Sequence, residues 1–311
     1  MMRIVFMGTS SFAVPSLDLL LANGYDIVAV VTTPDKPQGR GQKVQASPIQ
    51  QAAAAHGLYI LQPTNLKEAG FVHTLRACAP DLQVVVAFRV LPSVVWRLPA
   101  AGTFNLHASL LPQYRGAAPI HWALIHGEKE TGVTTFFIQE AIDTGDILFQ
   151  EKVSIADQDT AGSLHEKLKQ AGAQLVLKTV QAIEAGNCKA VPQPYIAPAL
   201  LRQAPKLRSA DGQVQWQQPA ATVINFIRGL SPRPGAWTRI QNQFIKILAA
   251  SPTPQIALRP GALQSDGKHY LHIGTQDTAI SVTELQVAGR IPMPIRAFLQ
   301  GHRLCVGQVD G

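Results

Sequence analysis

The sequence predicts a two-domain α/β protein, in which a parallel sheet covered by helices is followed by a small barrel. In residues 1–185, short apolar runs alternate with segments of helical spacing, and the run at residues 82–87 has no polar face. Such a run is typical of a parallel strand that is buried on both sides. Beyond residue 206, short strand candidates are separated by turns, which favours a small barrel.

Each element is predicted from its own pattern. In the first domain, strands are expected at residues 3–7, 26–32, 59–61, 82–87, 103–107 and 131–138, and helices at residues 12–23, 47–56, 68–77, 119–126 and 161–185. In the second, strands are expected at residues 213–216, 236–240, 244–249 and 278–285, with a helix at residues 220–228. Four prolines between residues 186 and 206 indicate an extended connector. The predicted bounds are residues 1–189, a linker at residues 190–206, and residues 207–311.

Composition favours a soluble cytoplasmic protein. The 311 residues are 46% hydrophobic, which is enough for sizeable cores, and the apolar runs stay well below the roughly 20 residues that span a bilayer. The three cysteines are far apart and have no metal-ligand spacing, so we expect free thiols and no metal.

The charge is concentrated in the last third of the chain. Residues 1–200 carry 15 basic and 15 acidic residues, whereas residues 201–311 carry 12 and 5. This excess indicates contact with a polyanion, although a solvated basic surface explains it equally well. The loop at residues 33–43, with Lys36, Arg40 and Lys43, suits a phosphate backbone but can also be a solvated loop.

The chemistry is expected at the end of the strand at residues 103–107. Asn105 and His107 project to the same side because strand side chains alternate. An amide that holds a developing oxyanion, beside an imidazole that takes a proton, suits acyl transfer to an amine. The alternative is a pair that only satisfies loop amides.

Two further residues gain meaning beside this pair. Asp143 lies in an Asp-Thr-Gly-Asp turn, and a carboxylate there would fix the tautomer of His107 and stabilise its cation; alone, such a turn is usually only a turn. Ser109 has no Gly-x-Ser-x-Gly motif around it, so we expect it to hydrogen-bond a ligand or the loop. The turn at residues 8–11 could bring backbone amides close to a phosphate, but it has one glycine where a dinucleotide fingerprint has three, so a plain strand-to-helix turn is favoured.

At these residues the chain resembles the methionyl-tRNA formyltransferase family, nearly from end to end. The resemblance is carried by residues 6–15, 34–48, 87–92, 105–119, 143–146, 204–206 and 230–238. It implies a Rossmann-like formyltransferase domain and an OB-like barrel that supports tRNA. It also implies transfer of the formyl group of 10-formyltetrahydrofolate to initiator methionyl-tRNA, by a monomer.

The resemblance also assigns site residues. Asn105, His107 and Asp143 would be catalytic, and Arg40 and Lys43 would contact tRNA. The folate pocket would be lined by Phe88, Arg89, Val90, Leu91, Ser109, Leu110, Leu111 and Pro112.

Three rival functions remain open. A formyltransferase for an amino sugar nucleotide can share the catalytic set, but a small substrate needs neither the basic loop nor the basic C-terminal third. A glycinamide ribonucleotide substrate leaves about a third of the chain unexplained, since residues 207–311 would have no role. A catalytically silent RNA-binding module does not explain the Asn-His-Asp set.

Overall fold

The computed structural model describes residues 2–38, 43–302 and 307–309. The α-helices are α1 (Val14–Ala22), α2 (Pro48–Ala55), α3 (Ala69–Ala77), α4 (Ser93–Trp96), α5 (Pro119–Ile125), α6 (Ala161–Glu184), α7 (Ala220–Leu230) and α8 (Ile295–Gly301). The strands are β1 (Arg3–Gly8), β2 (Asp26–Val31), β3 (Lys36–Gln38), β4 (Lys43–Gln45), β5 (Ile60–Leu61), β6 (Leu82–Val86), β7 (Thr103–His107), β8 (Arg115–Gly116), β9 (Glu130–Phe137), β10 (Ile147–Ser154), β11 (Gln203–Ala204), β12 (Ala236–Ile240), β13 (Gln243–Thr253), β14 (Leu263–Ser265), β15 (Leu271–Gly274), β16 (Ala279–Val287) and β17 (Met293–Pro294).

The first sheet has the strand order β10-β9-β7-β6-β1-β2-β5. The pairings of β1 with β2 and β6, of β2 with β5, and of β6 with β7 are parallel. All residues of β6 are buried, as the continuous apolar run predicts. The pairing of β7 with β9 is antiparallel, so the sheet is parallel except toward one edge.

The second sheet is antiparallel and has the order β12-β13-β16-β15-β14, with β17 paired to β16. It forms a curled half-barrel, which confirms the predicted small barrel. Its core includes Ile227 and Leu230 of α7 together with Ile247 and Leu285 of the sheet, all almost fully buried.

The described chain divides into two compact units that alternate along the sequence. The first contains residues 1–116, 131–153 and 165–203, and the second contains residues 117–130, 154–164 and 204–311. Helix α5 therefore belongs with the C-terminal sheet. It packs closely on α7, because a Cβ atom on Gly229 would lie 2.7 Å from the Ile125 side chain.

Most predicted elements are confirmed, with one clear error. The sequence predicts a strand at residues 213–216, but of these residues only Gln213 makes an isolated bridge, to Trp237. Val214 and Trp216 are buried, so the alternation reflects their burial and not sheet pairing. The predicted helix at residues 12–23 begins with a 3-10 turn, Ser11–Ala13, before α1.

None of the helices in the described part of the chain combines the length and the apolar composition needed to cross a membrane.

Candidate active site

Strand β7 positions the predicted amide and imidazole. Asn105 and His107 occupy alternate positions of the strand and therefore project to the same side. His107 is buried and Asn105 is half-buried. Among the described residues, the side-chain amide of Asn105 has no hydrogen-bond partner, so its donor is free for a ligand.

A backbone contact fixes the orientation of His107. Its Nε2 lies 2.8 Å from the carbonyl oxygen of Tyr114, a residue in the left-handed region with φ of 59°. A carbonyl oxygen only accepts hydrogen bonds, so Nε2 must carry a hydrogen in both charge states. Nδ1 is therefore the nitrogen that can gain and lose a proton.

Asp143 faces that nitrogen. Its Oδ2 lies 3.7 Å from Nδ1 of His107, within the range of an ion pair but too long for a direct hydrogen bond. The same oxygen accepts a hydrogen bond from the backbone N–H of Gly116 at 2.9 Å. Asp143 also has a left-handed backbone, with φ of 55°, a strained conformation that is common at functional sites.

The turn that contains Asp143 is held by residues that the sequence patterns did not reveal. The side-chain amide of Gln193 donates to the carbonyl oxygens of Asp143 and Gly145, each at 2.9 Å. Its Oε1 accepts from Arg115 Nη2 at 2.6 Å. Gln193 lies between two prolines of the predicted linker, where neither periodicity nor a motif marks it.

The segment at residues 109–112, predicted to line a folate pocket, is mostly internal. Ser109 is fully buried and its hydroxyl donates to the Gln113 carbonyl at 2.6 Å, so it bonds the loop. The Thr134 hydroxyl donates to the Ser109 carbonyl at 2.6 Å. Gln150 donates to Thr134 and to the Leu111 carbonyl. These contacts rigidify the turn; its part in folate binding stays a prediction.

Three of the other predicted folate residues, Arg89, Val90 and Leu91, line an open cavity of about 450 Å³ together with residues 64–67 and Pro92. Phe88 is not among the residues that line it and packs against the hydrophobic core instead. The Arg89 guanidinium donates to the carbonyls of Pro63 and Thr64, and burial lowers its pKa. Of the described residues that line this cavity, none belongs to the Asn-His-Asp set.

The predicted tRNA contacts cannot be placed in the same way. Arg40 lies outside the described residues, and for Lys43 only its backbone in β4 is described. Elsewhere in the described chain, no group of three or more His, Cys, Asp or Glu side chains could hold a metal ion.

Comparison with known protein families identifies the class of enzyme to which this fold and site belong. A model of the formyl transferase family matches residues 2–180, and a model of the formyl transferase C-terminal domain matches residues 206–303. The chain is thus a formyl-transferring enzyme.

The particular family follows from its relatives. The chain is 47% identical to a methionyl-tRNA formyltransferase of Bacteroides fragilis, over 97% of this chain and 96% of that one. The chain belongs to the methionyl-tRNA formyltransferase family.

Solved structures show the same fold at lower identity. HypX from Aquifex aeolicus in complex with tetrahydrofolic acid has a TM-score of 0.67 at 20% identity; the match covers 96% of this chain and 47% of HypX, so this chain spans about half its length. An N-formyltransferase from Helicobacter canadensis, in complex with folinic acid and dTDP-3-aminofucose, has a TM-score of 0.67 at 21% identity, over 91% of this chain and 99% of that one.

Proposed function

We propose that the chain transfers the formyl group of 10-formyltetrahydrofolate to the methionyl amino group of initiator methionyl-tRNA. The product is N-formylmethionyl-tRNA, which serves translation initiation. The name of the 47%-identical relative supports the tRNA substrate over an amino sugar, since the likeness to the sugar-bound structure lies at 21% identity and concerns the fold.

The pairing of His107 Nδ1 with Asp143 Oδ2 is the observation that supports this chemistry best. The methionyl amine attacks the formyl carbon, and a C–N bond forms as the carbonyl oxygen becomes an oxyanion. His107 accepts the proton of the amine at Nδ1, because Nε2 is engaged by Tyr114. General acid–base help of this kind contributes about 10² to 10⁴ in rate.

Asn105 and Asp143 stabilise the charges that this step creates. The Asn105 amide donates to the oxyanion, together with His107 in its charged form, and Asp143 stabilises the imidazolium. The intermediate collapses when the bond between the formyl carbon and the folate N10 breaks. The proton taken from the amine passes by way of His107 and Asp143 to N10, so tetrahydrofolate leaves with a neutral amine at N10.

The substrates are assigned to the predicted residues. A folate-type donor is held by Phe88–Leu91 and Ser109–Pro112, and the cavity beside Arg89 offers room next to the first of these segments. Arg40, Lys43 and the basic C-terminal third contact tRNA. Residues 1–189 form the catalytic domain, residues 190–206 the linker and residues 207–311 the tRNA-binding barrel domain. The chain acts as a cytoplasmic monomer without a metal cofactor.

A substrate comparison tests the proposal. The purified protein is incubated with 10-formyltetrahydrofolate and either methionylated initiator tRNA or a 4-amino sugar nucleotide, and formyl transfer to each amine is measured. We expect formylation of the tRNA alone. Formylation of the sugar would move the chain to the rival branch, and transfer to neither would contradict the proposed reaction.

A further inference from the structure

The side chain of Gln193, in the connector, forms hydrogen bonds with the turn that carries Asp143. Gln193 is half-buried, whereas Val191, Pro192, Pro194 and Tyr195 around it are exposed. A polar side chain turned inward from an exposed, proline-rich stretch must satisfy its hydrogen bonds inside. Gln193 does so on the proposed catalytic turn.

Both the nitrogen and the oxygen of the Gln193 side-chain amide form hydrogen bonds there. Nε2 has two hydrogens, and these reach the carbonyl oxygens of Asp143 and Gly145, which face it from the same turn. Oε1 accepts from Arg115, whose neighbour Gly116 donates its N–H to Asp143 Oδ2. Gln193 therefore links the backbone of the Asp143 turn to the segment that binds the Asp143 carboxylate.

The connector is anchored close to this contact. Val191 and Ile147 exchange backbone hydrogen bonds at 2.8 and 2.9 Å. Ile147 begins β10, directly after the Asp143 turn, so the connector is fixed at that end before it presents Gln193. Such anchoring gives the amide little freedom to turn away.

We infer that Gln193 is a positioning residue for formyl transfer, because it holds the left-handed Asp143 turn at its 3.7 Å approach to His107. The inference rests on the proposed function, since it matters only if Asp143 acts in the reaction. Gln193 works through Asp143 and does not itself touch substrate. Freed from Gln193, the turn relaxes and carries the carboxylate away from Nδ1.

The test is a double-mutant cycle on kcat with Gln193→Leu and Asp143→Asn. Because misplacement of a reacting group by 1 Å can cost about 10²-fold, we expect Gln193→Leu to lower kcat by roughly 10- to 100-fold. KM for the folate donor should stay near that of the wild type. In the Asp143→Asn background, Gln193→Leu should have little further effect, because the carboxylate that it positions is already gone.

A matched control separates positioning from stability. Gln113 also bonds the connector, through its Nε2 to the Leu200 carbonyl and its Oε1 to the Arg202 N–H, but within the described chain its side chain forms no hydrogen bond with the Asp143 turn. Gln113→Leu removes the same kinds of bond and should lower thermal stability while leaving kcat close to the wild-type value.

The outcomes are distinguishable. Equal losses from Gln193→Leu in both backgrounds, or no loss in either, would overturn the inference. If Asp143→Asn alone retains turnover, the proposed role of Asp143 fails as well. Should Gln193→Leu not fold, Gln193→Glu takes its place, because it keeps an acceptor for Arg115 but removes the donor to both carbonyls; the same loss of kcat is expected.

Discussion

Asn105 and His107 share one side of β7 yet differ in how the protein uses them. His107 is buried and its Nε2 is held by the Tyr114 carbonyl, whereas the Asn105 amide has no partner among the described residues. A fully buried polar group without a hydrogen-bond partner would cost free energy. The Asn105 amide is only half-buried and lies beside the fixed imidazole, so it is suited to bind a ligand. The contrast matches a fixed base and a donor kept free for an oxyanion.

We therefore predict that Asn105→Ala lowers kcat without destabilising the fold. Loss of one oxyanion donor costs about 10²- to 10³-fold in kcat. The thermal midpoint should stay near that of the wild type, because no hydrogen bond to a described residue is lost. Steady-state formylation and thermal melts check both expectations.

Asn105→Asp serves as its companion variant. It keeps the size of the side chain but replaces the donor with an acceptor, so it should be at least as inactive as Asn105→Ala. Activity near the wild-type level in either variant would exclude Asn105 as the oxyanion donor.

At the scale of elements, the sequence predicts the strands and helices that have a clear hydrophobic pattern. It does not predict short strands formed by pairing, or contacts made by turns. The run that became β6 was predictable because both of its faces are buried. The strands β14, β15 and β17 are too short to show a period, and β10 has exposed residues at Gln150–Lys152. The Asn-x-His pair was visible from its spacing, whereas the contacts of Tyr114 and Gln193 depend on turns and on residues distant in sequence.

The Asp143 turn depends on a glycine. A Cβ atom on Gly145 would lie 1.6 Å from the Phe137 carbonyl oxygen, so the turn cannot pack there with any larger residue. Because overpacking typically costs about 1–3 kcal/mol, we predict that Gly145→Ala destabilises the protein by that amount. It should also lower kcat at least as much as Gln193→Leu, since it moves the same turn. Denaturant unfolding and steady-state kinetics measure the two effects.

Gly70 in α3 provides the control for that substitution. Its added Cβ would meet nothing within 4 Å, and the residue is exposed. Gly70→Ala should stabilise the protein by about 0.5–1 kcal/mol, because alanine loses less conformational freedom in a helix. An equal loss of kcat in the two alanine variants would show that the effect at Gly145 is not local.

For the whole molecule, charge is the main property that the fold does not explain. The whole net charge of +7 lies in residues 201–311, and the loop at residues 33–43, the proposed tRNA contact, is a separate group of basic residues within a first part of the chain that is neutral overall. Contacts to phosphates release counterions, so their number can be read from the salt dependence of binding.

We predict that Arg40→Ala weakens tRNA binding and reduces the slope of log K against log salt by about 0.7–0.9, the value of one phosphate contact. Arg76, exposed at the end of α3, gives the matched control, because Arg76→Ala removes the same charge from a surface with no assigned role. Binding measured over a salt series distinguishes them. Equal slopes for Arg40→Ala and the wild type would argue against the loop.

The alternation of the two compact units along the chain limits how such a protein can be rearranged. Helix α5 and residues 154–164 pack with the C-terminal sheet, although they lie inside the sequence of the first family match. A gene fragment cut at the connector would therefore leave α5 without α7, against which Ile125 packs and with which His121 forms a hydrogen bond, to the Gly229 carbonyl. The second compact unit includes segments that precede the linker in the sequence. Recombination at the linker alone would therefore transfer only part of this unit from one enzyme to another.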